Sequence, residues 1–306
     1  MSHLHGGPMS SHQHAPIRYG RVFAVGVLLN LAFVLVEAWY GWKGDSLALL
    51  ADAGHNLSDV AGLLLAWAAF GAAKFKPNAR HSYGWRKGSI IASFINATIL
   101  LAAMGALAWE AVGRLTTPAG VDGMTVIIVA AIGLVINSVT AWMFMQGSQQ
   151  DLNIRGAFLH MAADALVSAG VVFAGVLYLW QGWSWLDPVI SILVALVVMI
   201  STWSLFRRSL HLLFDGVPDD IDLPAIRAGL QALKGVAAVH DLHIWAMSTT
   251  ENALTAHLLM IDGQSHDDLL SRATDLLESE FGLHHVTLQL EHYEGGAYRE
   301  SENCVD

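Results

Sequence analysis

Two histidine and aspartate pairs stand out in this sequence because each pair is spaced by four residues inside a long apolar stretch. They are His55 with Asp59 and His160 with Asp164. A spacing of i, i+4 places both side chains on one face of a helix. Ionisable side chains inside membrane spans are costly and usually mark a functional site. Two such helices could therefore supply two imidazoles and two carboxylates to one divalent metal ion, a ligand set that favours tetrahedral Zn²⁺.

The composition indicates an integral membrane protein with a smaller polar domain. Of the 306 residues, 54% are hydrophobic and 14% are charged, whereas about 25% are charged in typical soluble domains. We expect a disordered, histidine-containing tail at 1–16, a transmembrane domain at 17–213, a cytoplasmic domain at 214–294 and a disordered tail at 295–306. The tail histidines could bind metal weakly or be plain solvated residues. The net charge of −10 argues against nucleic acid as a partner.

Six segments have the roughly 20 apolar residues that a transmembrane helix requires. We predict helices at Tyr19–Trp42, Leu47–Phe75, Gly84–Leu115, Gly123–Gly147, Ile154–Gln181 and Trp185–Leu213. An even number of spans places both termini on the same side of the membrane. Basic residues are concentrated on that side, which predicts cytoplasmic termini in a cell inner (plasma) membrane. They are Arg18, Arg21, Lys74, Lys76, Arg80, Arg86, Lys87, Arg155, Arg207 and Arg208, against Lys43 and Arg114 on the other side.

Four further polar residues lie inside the predicted spans. Asp52 lies three residues before His55, so it shares the polar stripe of the second span and could support the metal ligands or line a pathway. Glu37 in the first span is interpreted as lining a pathway or handling protons. Asn30 and Asn137 either line the same pathway or join neighbouring helices by hydrogen bonds.

Several motifs together resemble the cation diffusion facilitator family, and specifically its zinc-transporting branch. They occur in the order typical of that family: the run from Gly44 to Asp59, Arg80-His-Ser-Tyr-Gly-Trp85, His160-Met-Ala-Ala-Asp164, Asp187-Pro188 and Val239-His-Asp-Leu-His-Ile-Trp245. The resemblance implies a homodimer of six-helix subunits that exports Zn²⁺ in exchange for protons and confers metal resistance. It also implies that His55, Asp59, His160 and Asp164 form the transport site. Co²⁺ and Cd²⁺ are further expected substrates, since the ligand set also suits them.

Two parts of the resemblance concern the loops. Some bacterial members have a second metal site between spans two and three, but only His81 of its ligands is present in this chain. We therefore expect that site to be absent or weak. Lys87 resembles a lysine that forms an ion pair across the dimer, and Asp215 is the acidic residue available to it. A plain cytoplasmic anchor is the other explanation for Lys87.

The polar domain shows an α-β-β-α-β pattern. We predict helices at Leu223–Leu233 and Ser265–Phe281 and strands at Ala238–Met247, Ala253–Ile261 and Val286–His292, which suggests a small ferredoxin-like α+β sandwich. The resemblance matches His240, His257, His284 and Glu291 to ligands in related cytoplasmic domains, so a second Zn²⁺ could bind here. The other interpretation is a set of surface histidines on a solvated sheet.

Metal binding requires deprotonated ligands, so protons compete with zinc for the same side chains. Together with alternating access, this competition predicts a proton-coupled antiporter and not an enzyme. A membrane metalloprotease would need a His-Glu-x-x-His helix, which this sequence lacks. A membrane-anchored metal sensor without transport is the remaining alternative.

Overall fold

This computed structural model describes residues 19–72, 77–117, 120–145, 152–261, 263 and 265–292. The predicted tails at 1–16 and 295–306, and the predicted helix ends at Phe75 and Gly147, lie outside the described residues. The chain forms two compact units. Unit one comprises Met1–Val60 and Leu107–Ala195, and unit two comprises Ala61–Ala106 and Leu196–Asp306.

Within the described residues, six long helices precede the polar domain. They are α1 (Tyr19–Lys43), α2 (Leu47–Ala72), α3 (Gly88–Thr116), α4 (Gly123–Met145), α5 (Leu152–Gln181) and α6 (Leu186–Leu213). Within the described ranges, four segments are long and apolar enough to cross a membrane: Gly88–Thr116, Gly123–Met143, Phe158–Gln181 and Leu186–Leu213. The chain therefore has a helical transmembrane region.

The predicted start of the third helix at Gly84 is wrong, because residues 82–87 form turns. Gly84 has a φ of 69°, which is a left-handed conformation that ends regular helix. Its amide donates to the His81 carbonyl at 2.9 Å, and the Gly88 amide donates to the Trp85 carbonyl at 3.0 Å. Asn78 Oδ1 accepts from two amides at the start of this loop. Local turn bonds therefore delay α3 by four residues.

Close helix packing holds the core of unit one together. At Gly133 of α4, an added Cβ would lie 2.7 Å from a ring carbon of Phe33 in α1. At Gly175 of α5, an added Cβ would lie 2.7 Å from a side-chain carbon of Ile127 in α4. Such contacts allow backbones to approach closely, as small residues do in membrane bundles. They position α1 and α5 against α4.

A carboxylate from α6 fixes the start of α2. Asp187 Oδ1 accepts from the Ser46 hydroxyl at 2.6 Å, and Asp187 Oδ2 accepts from the Leu47 amide at 3.0 Å. All three residues are buried. The first amides of a helix have no partner within the helix and need an acceptor. Asp187 supplies that acceptor from a distant part of the chain and so fixes the position of α2.

The polar domain contains α7 (Leu223–Gln231), β1 (Val236–Ala246), β2 (Asn252–Met260), α8 (His266–Phe281) and β3 (His285–His292). The strands form a small mixed sheet in the order β1-β2-β3, with β1 antiparallel and β3 parallel to β2. The two helices bury Ile226, Leu230, Leu269, Ala273 and Leu277 in a core with the sheet. The element order is the predicted one, and no observed end differs from the predicted end by more than two residues.

Candidate metal centres

The structure brings the two histidine and aspartate pairs together in unit one. His55 and Asp59 lie on α2, and His160 and Asp164 lie on α5. His55 Nε2 is 3.3 Å from Asp164 Oδ1, and His160 Nε2 is 3.1 Å from Asp59 Oδ2. Within each helix the nitrogen-to-oxygen distances are 3.6 and 3.7 Å. One ligand atom from each residue lies within 4.8 Å of the other three.

These distances suit a four-coordinate zinc ion. Ligand atoms placed about 2.0 Å from a tetrahedral zinc ion are separated from each other by roughly 3.3 Å. The four nitrogen-to-oxygen distances of 3.1 to 3.7 Å bracket that value. The histidine rings approach edge to face, with centroids 5.7 Å apart. A zinc ion could therefore bind with only small movements of these side chains.

The four side chains differ sharply in exposure. The Asp164 side chain is 3% exposed and that of His55 is 16% exposed. The side chains of Asp59 and His160 are 34% and 42% exposed. The accessible side of the centre is thus the side of Asp59 and His160, and the opposite side is closed.

A second cluster of potential ligands lies on the sheet of the polar domain. His240 on β1, His257 on β2 and Glu291 on β3 each offer an atom within 4.8 Å of the others. His240 Nε2 is 3.0 Å from Glu291 Oε2, and His257 Nδ1 is 3.0 Å from Glu291 Oε1. The β1-β2 register places His240 opposite His257, which explains why three sequence-distant residues meet here.

Two domain models match this chain. The model described as the cation efflux transmembrane domain matches residues 23–214, and the model described as the cytoplasmic domain of cation efflux proteins matches residues 218–293. The chain belongs to the cation efflux (cation diffusion facilitator) family. This result confirms the resemblance inferred from the motifs.

Curated cation efflux relatives match nearly the whole chain. A cadmium, cobalt and zinc/H⁺-K⁺ antiporter of Bacillus subtilis is 35% identical over 92% of this chain and 91% of its own. The zinc transporter ZitB of Escherichia coli is 36% identical over 89% of this chain and 86% of its own. The metal cation efflux system protein CzcD of Cupriavidus metallidurans is 34% identical over 93% of this chain and 90% of its own.

His284, which was predicted with the second cluster, lies outside it in this cation efflux protein. Its Nδ1 is 3.1 Å from Glu278 Oε1, and both side chains are largely exposed. Asp241, which the sequence did not single out, instead borders the cluster, with Oδ2 3.5 Å from His257 Nε2. A hydrogen bond between His243 and the Asp241 carboxylate holds the pKa of that carboxyl below its ordinary value. The cluster therefore has a permanently ionised neighbour at neutral pH.

The four further polar residues predicted in the spans differ in how deeply they are buried. Glu37 and Asp52 are fully buried, and Asn137 is also buried. The Asn137 amide nitrogen has no hydrogen-bond partner among the described residues. Asn30 is only half-buried. The buried carboxyls of Glu37 and Asp52 are thus the members that most need an explanation.

Lys87 and Asp215 also meet, in unit two. Lys87 Nζ donates to Asp215 Oδ1 at 2.6 Å within this one chain, where the resemblance implied a pair across the dimer. Asp215 has a φ of 57° at the end of α6. A second pair, between Arg86 and Glu251 at 3.1 Å, joins the same loop to the polar domain. The sequence did not single out this second pair.

Proposed function

We propose that this cation efflux protein exports Zn²⁺ from the cytoplasm in exchange for protons. The observation that carries this proposal is the set of four ligand atoms from His55, Asp59, His160 and Asp164, all within 4.8 Å. The names of the relatives, which include zinc transporters and metal/H⁺-K⁺ antiporters, support the same activity. The nitrogen and oxygen ligands also suit Co²⁺ and Cd²⁺ better than Mg²⁺ or Ca²⁺, which prefer oxygen alone.

The working form is a homodimer in the inner membrane. We infer that α1 and α2 cross the membrane together with the four apolar segments, so that the domain at 17–213 has six spans. The basic loops then place both termini and the domain at 214–294 in the cytoplasm. The α-β-β-α-β order supports a ferredoxin-like fold for this domain, which would join the two subunits. An ion pair of Lys87 with Asp215 could also form between subunits.

Exchange follows from competition for the ligands. Zinc binds to neutral imidazoles and ionised carboxylates, so protonation of these groups and zinc binding exclude each other. With the proposed orientation, the accessible side of the centre at Asp59 and His160 faces the cytoplasm. Rocking of one group of helices against another would open the other side. Protons that enter there would displace the zinc ion and return with the empty carrier.

The second cluster supports a role for the cytoplasmic domain in metal binding. His240, His257 and Glu291 supply three ligands, and a fourth would come from water or from another residue. A membrane-anchored sensor without transport could use the same cluster. It would have no use for a four-ligand centre among apolar helices, where ionisable groups are costly.

Everted membrane vesicles test this function directly. When the vesicle interior is acidified, vesicles that contain the protein should accumulate zinc. Protons should leave the interior as zinc enters, so an internal pH dye should report a rise in pH. Vesicles that contain His55→Ala should behave like vesicles without the protein. Zinc binding by the purified protein without any uptake into vesicles would favour the sensor instead.

We expect His55→Asp to broaden the metal range. The change replaces one of two imidazoles by a carboxylate, and an oxygen-rich ligand set favours harder cations. The preference for zinc over manganese in vesicle uptake should fall at least about tenfold, which corresponds to ~1.4 kcal/mol. The control is His81→Asp, which changes an exposed loop histidine and should leave the preference unchanged. An unaltered preference in His55→Asp would mean that His55 is not a ligand.

We expect Glu291→Gln to weaken zinc binding in the cytoplasmic domain. Glu291 contacts both His240 and His257, and loss of its charge should lower zinc affinity there by about 10- to 100-fold. Equilibrium dialysis with full-length protein should show one class of site weakened and the other retained. Glu278→Gln is the matched control, because Glu278 contacts His284 outside the cluster. Equal losses in both variants would contradict the assignment.

A further inference from the structure

Two acidic side chains are buried beside the metal centre without being part of it. Glu37 on α1 is 0% exposed and Asp52 on α2 is 1% exposed. The two carboxyl groups lie close enough to act on each other. Neither carboxyl group forms an ion pair with a lysine or arginine among the residues that the structure describes. Buried carboxylates without a cationic partner are costly, so this pair needs a compensating charge or a proton.

The hydrogen bonds around the pair leave room for a proton. Asn56 Nδ2 donates to Glu37 Oε2 at 3.2 Å, and Ser168 Oγ donates to Asp52 Oδ2 at 3.4 Å. The other oxygens, Glu37 Oε1 and Asp52 Oδ1, are buried without a donor among the described residues. Two ionised carboxylates contain only acceptors and repel each other, whereas one proton on the pair would supply a donor and remove one of the two charges.

We propose that Glu37 and Asp52 share one proton, and that zinc binding at the neighbouring centre releases this proton. The proposal rests on the proposed function and adds a proton-binding site that contains no metal ligand. The reaction is the ionisation of a carboxyl O–H bond. Its proton leaves to solvent on the accessible side, and the pair is protonated again after zinc has left.

Electrostatic coupling supplies the link between the pair and the zinc ion. The ionisable groups that act on Asp52 are Glu37 on α1, His55 on α2 and Asp164 on α5. Asp52 is the ionisable neighbour that acts on Glu37. Asn137 on α4 is also buried, and its amide nitrogen has no hydrogen-bond partner among the described residues, but an amide does not titrate. A divalent cation at His55 and Asp164 favours ionisation of acids nearby. By linkage, the shared proton must weaken zinc binding to the same extent.

The number of protons released per zinc bound tests the proposal. Purified full-length protein in weakly buffered detergent solution would be titrated with zinc while a pH dye reports release. Compared with wild type, Glu37→Gln and Asp52→Asn should each release about one proton fewer per zinc. The double variant should also lose about one and not two, because the pair holds one proton. Zinc binding at the cytoplasmic cluster releases the same number of protons in wild type and in these variants, so this contribution cancels in the comparison. Glu110→Gln, on an exposed part of α3, should match wild type.

The wild-type protein provides a second test that needs no substitution. The infrared spectrum of the zinc-free protein at neutral pH should contain a band of a protonated carboxylic acid, and zinc should abolish it. Absence of that band, or unchanged proton release in both single variants, would overturn the proposal. A loss of two protons in the double variant would also contradict sharing. Failure of zinc uptake by wild-type vesicles would instead overturn the proposed function, while the infrared band and the proton counts would stand unaffected.

Discussion

Asp164→Ala should lower proton-driven zinc uptake at least about 100-fold, since even changes to residues that only support metal ligands cost 10- to 100-fold. Asp164 is the most buried of the four candidate ligands. Its two oxygens face the two histidines, at 3.3 Å from His55 and 3.7 Å from His160. Alanine would leave three ligands and a cavity at the closed side of the centre. Initial rates of zinc uptake into everted vesicles, normalised to protein content, measure this effect.

Asp220→Ala is the matched control for this substitution. Asp220 is exposed near the end of the helical region, so its loss should leave the uptake rate close to that of wild type. Asp164→Asn separates charge from shape, because the amide has nearly the same volume but is a poor zinc ligand. We expect Asp164→Asn to resemble Asp164→Ala. Normal uptake by either Asp164 variant would contradict the assignment of Asp164 as a ligand.

Asp187→Ala should destabilise the protein by about 2 to 5 kcal/mol, because two buried donors lose their acceptor at once. The donors are the Ser46 hydroxyl and the Leu47 amide at the start of α2. Since α2 contains His55 and Asp59, displacement of its start should also move half of the metal centre. The free energy of unfolding in mixed detergent micelles and the zinc affinity of the same sample should therefore both decrease.

Two further variants distinguish capping from general damage to α6. Asp187→Asn retains one side-chain oxygen as an acceptor and should lose less than half as much stability as Asp187→Ala. Ser191→Ala removes a buried hydroxyl one turn further along α6 that donates to the Asp187 carbonyl at 2.6 Å, and it should cost about 1 kcal/mol. Equal losses in all three variants would show that Asp187 does not act through α2.

The residues of the candidate metal centre were largely predictable because the alignment of each pair depends on helix periodicity. A spacing of four residues aligns the members of each pair on one helix face whatever the rest of the chain does. The sequence indicated Glu37 and Asp52 but not their hydrogen-bond partners, Asn56 and Ser168. These partners are common polar residues whose role depends on how α1, α2 and α5 pack. Packing between helices is a tertiary property that spacing alone does not contain.

In the polar domain, the predicted order of elements was correct, but local backbone irregularity was not predictable. The register between β1 and β2 shifts between His240 and His243, where Asp241 adopts a φ of 51°. A strict alternation along β1 would turn Asp241 to the face opposite His240. The irregularity instead brings its carboxylate to His243 and His257. The start of α3 differs from the prediction for a similar reason, since turn bonds within residues 78–88 replace the first helical turn.

X-ray absorption at the zinc edge tests the central claim most directly. The sample would be full-length Glu291→Gln protein loaded with one zinc ion per chain, so that the membrane centre dominates the signal. We predict four nitrogen or oxygen neighbours at about 2.0 to 2.2 Å, with the multiple-scattering signature of two imidazoles. His160→Ala should reduce that signature to one imidazole. A six-coordinate shell of oxygens alone, or an imidazole signal that is unchanged in His160→Ala, would contradict zinc binding by these four side chains.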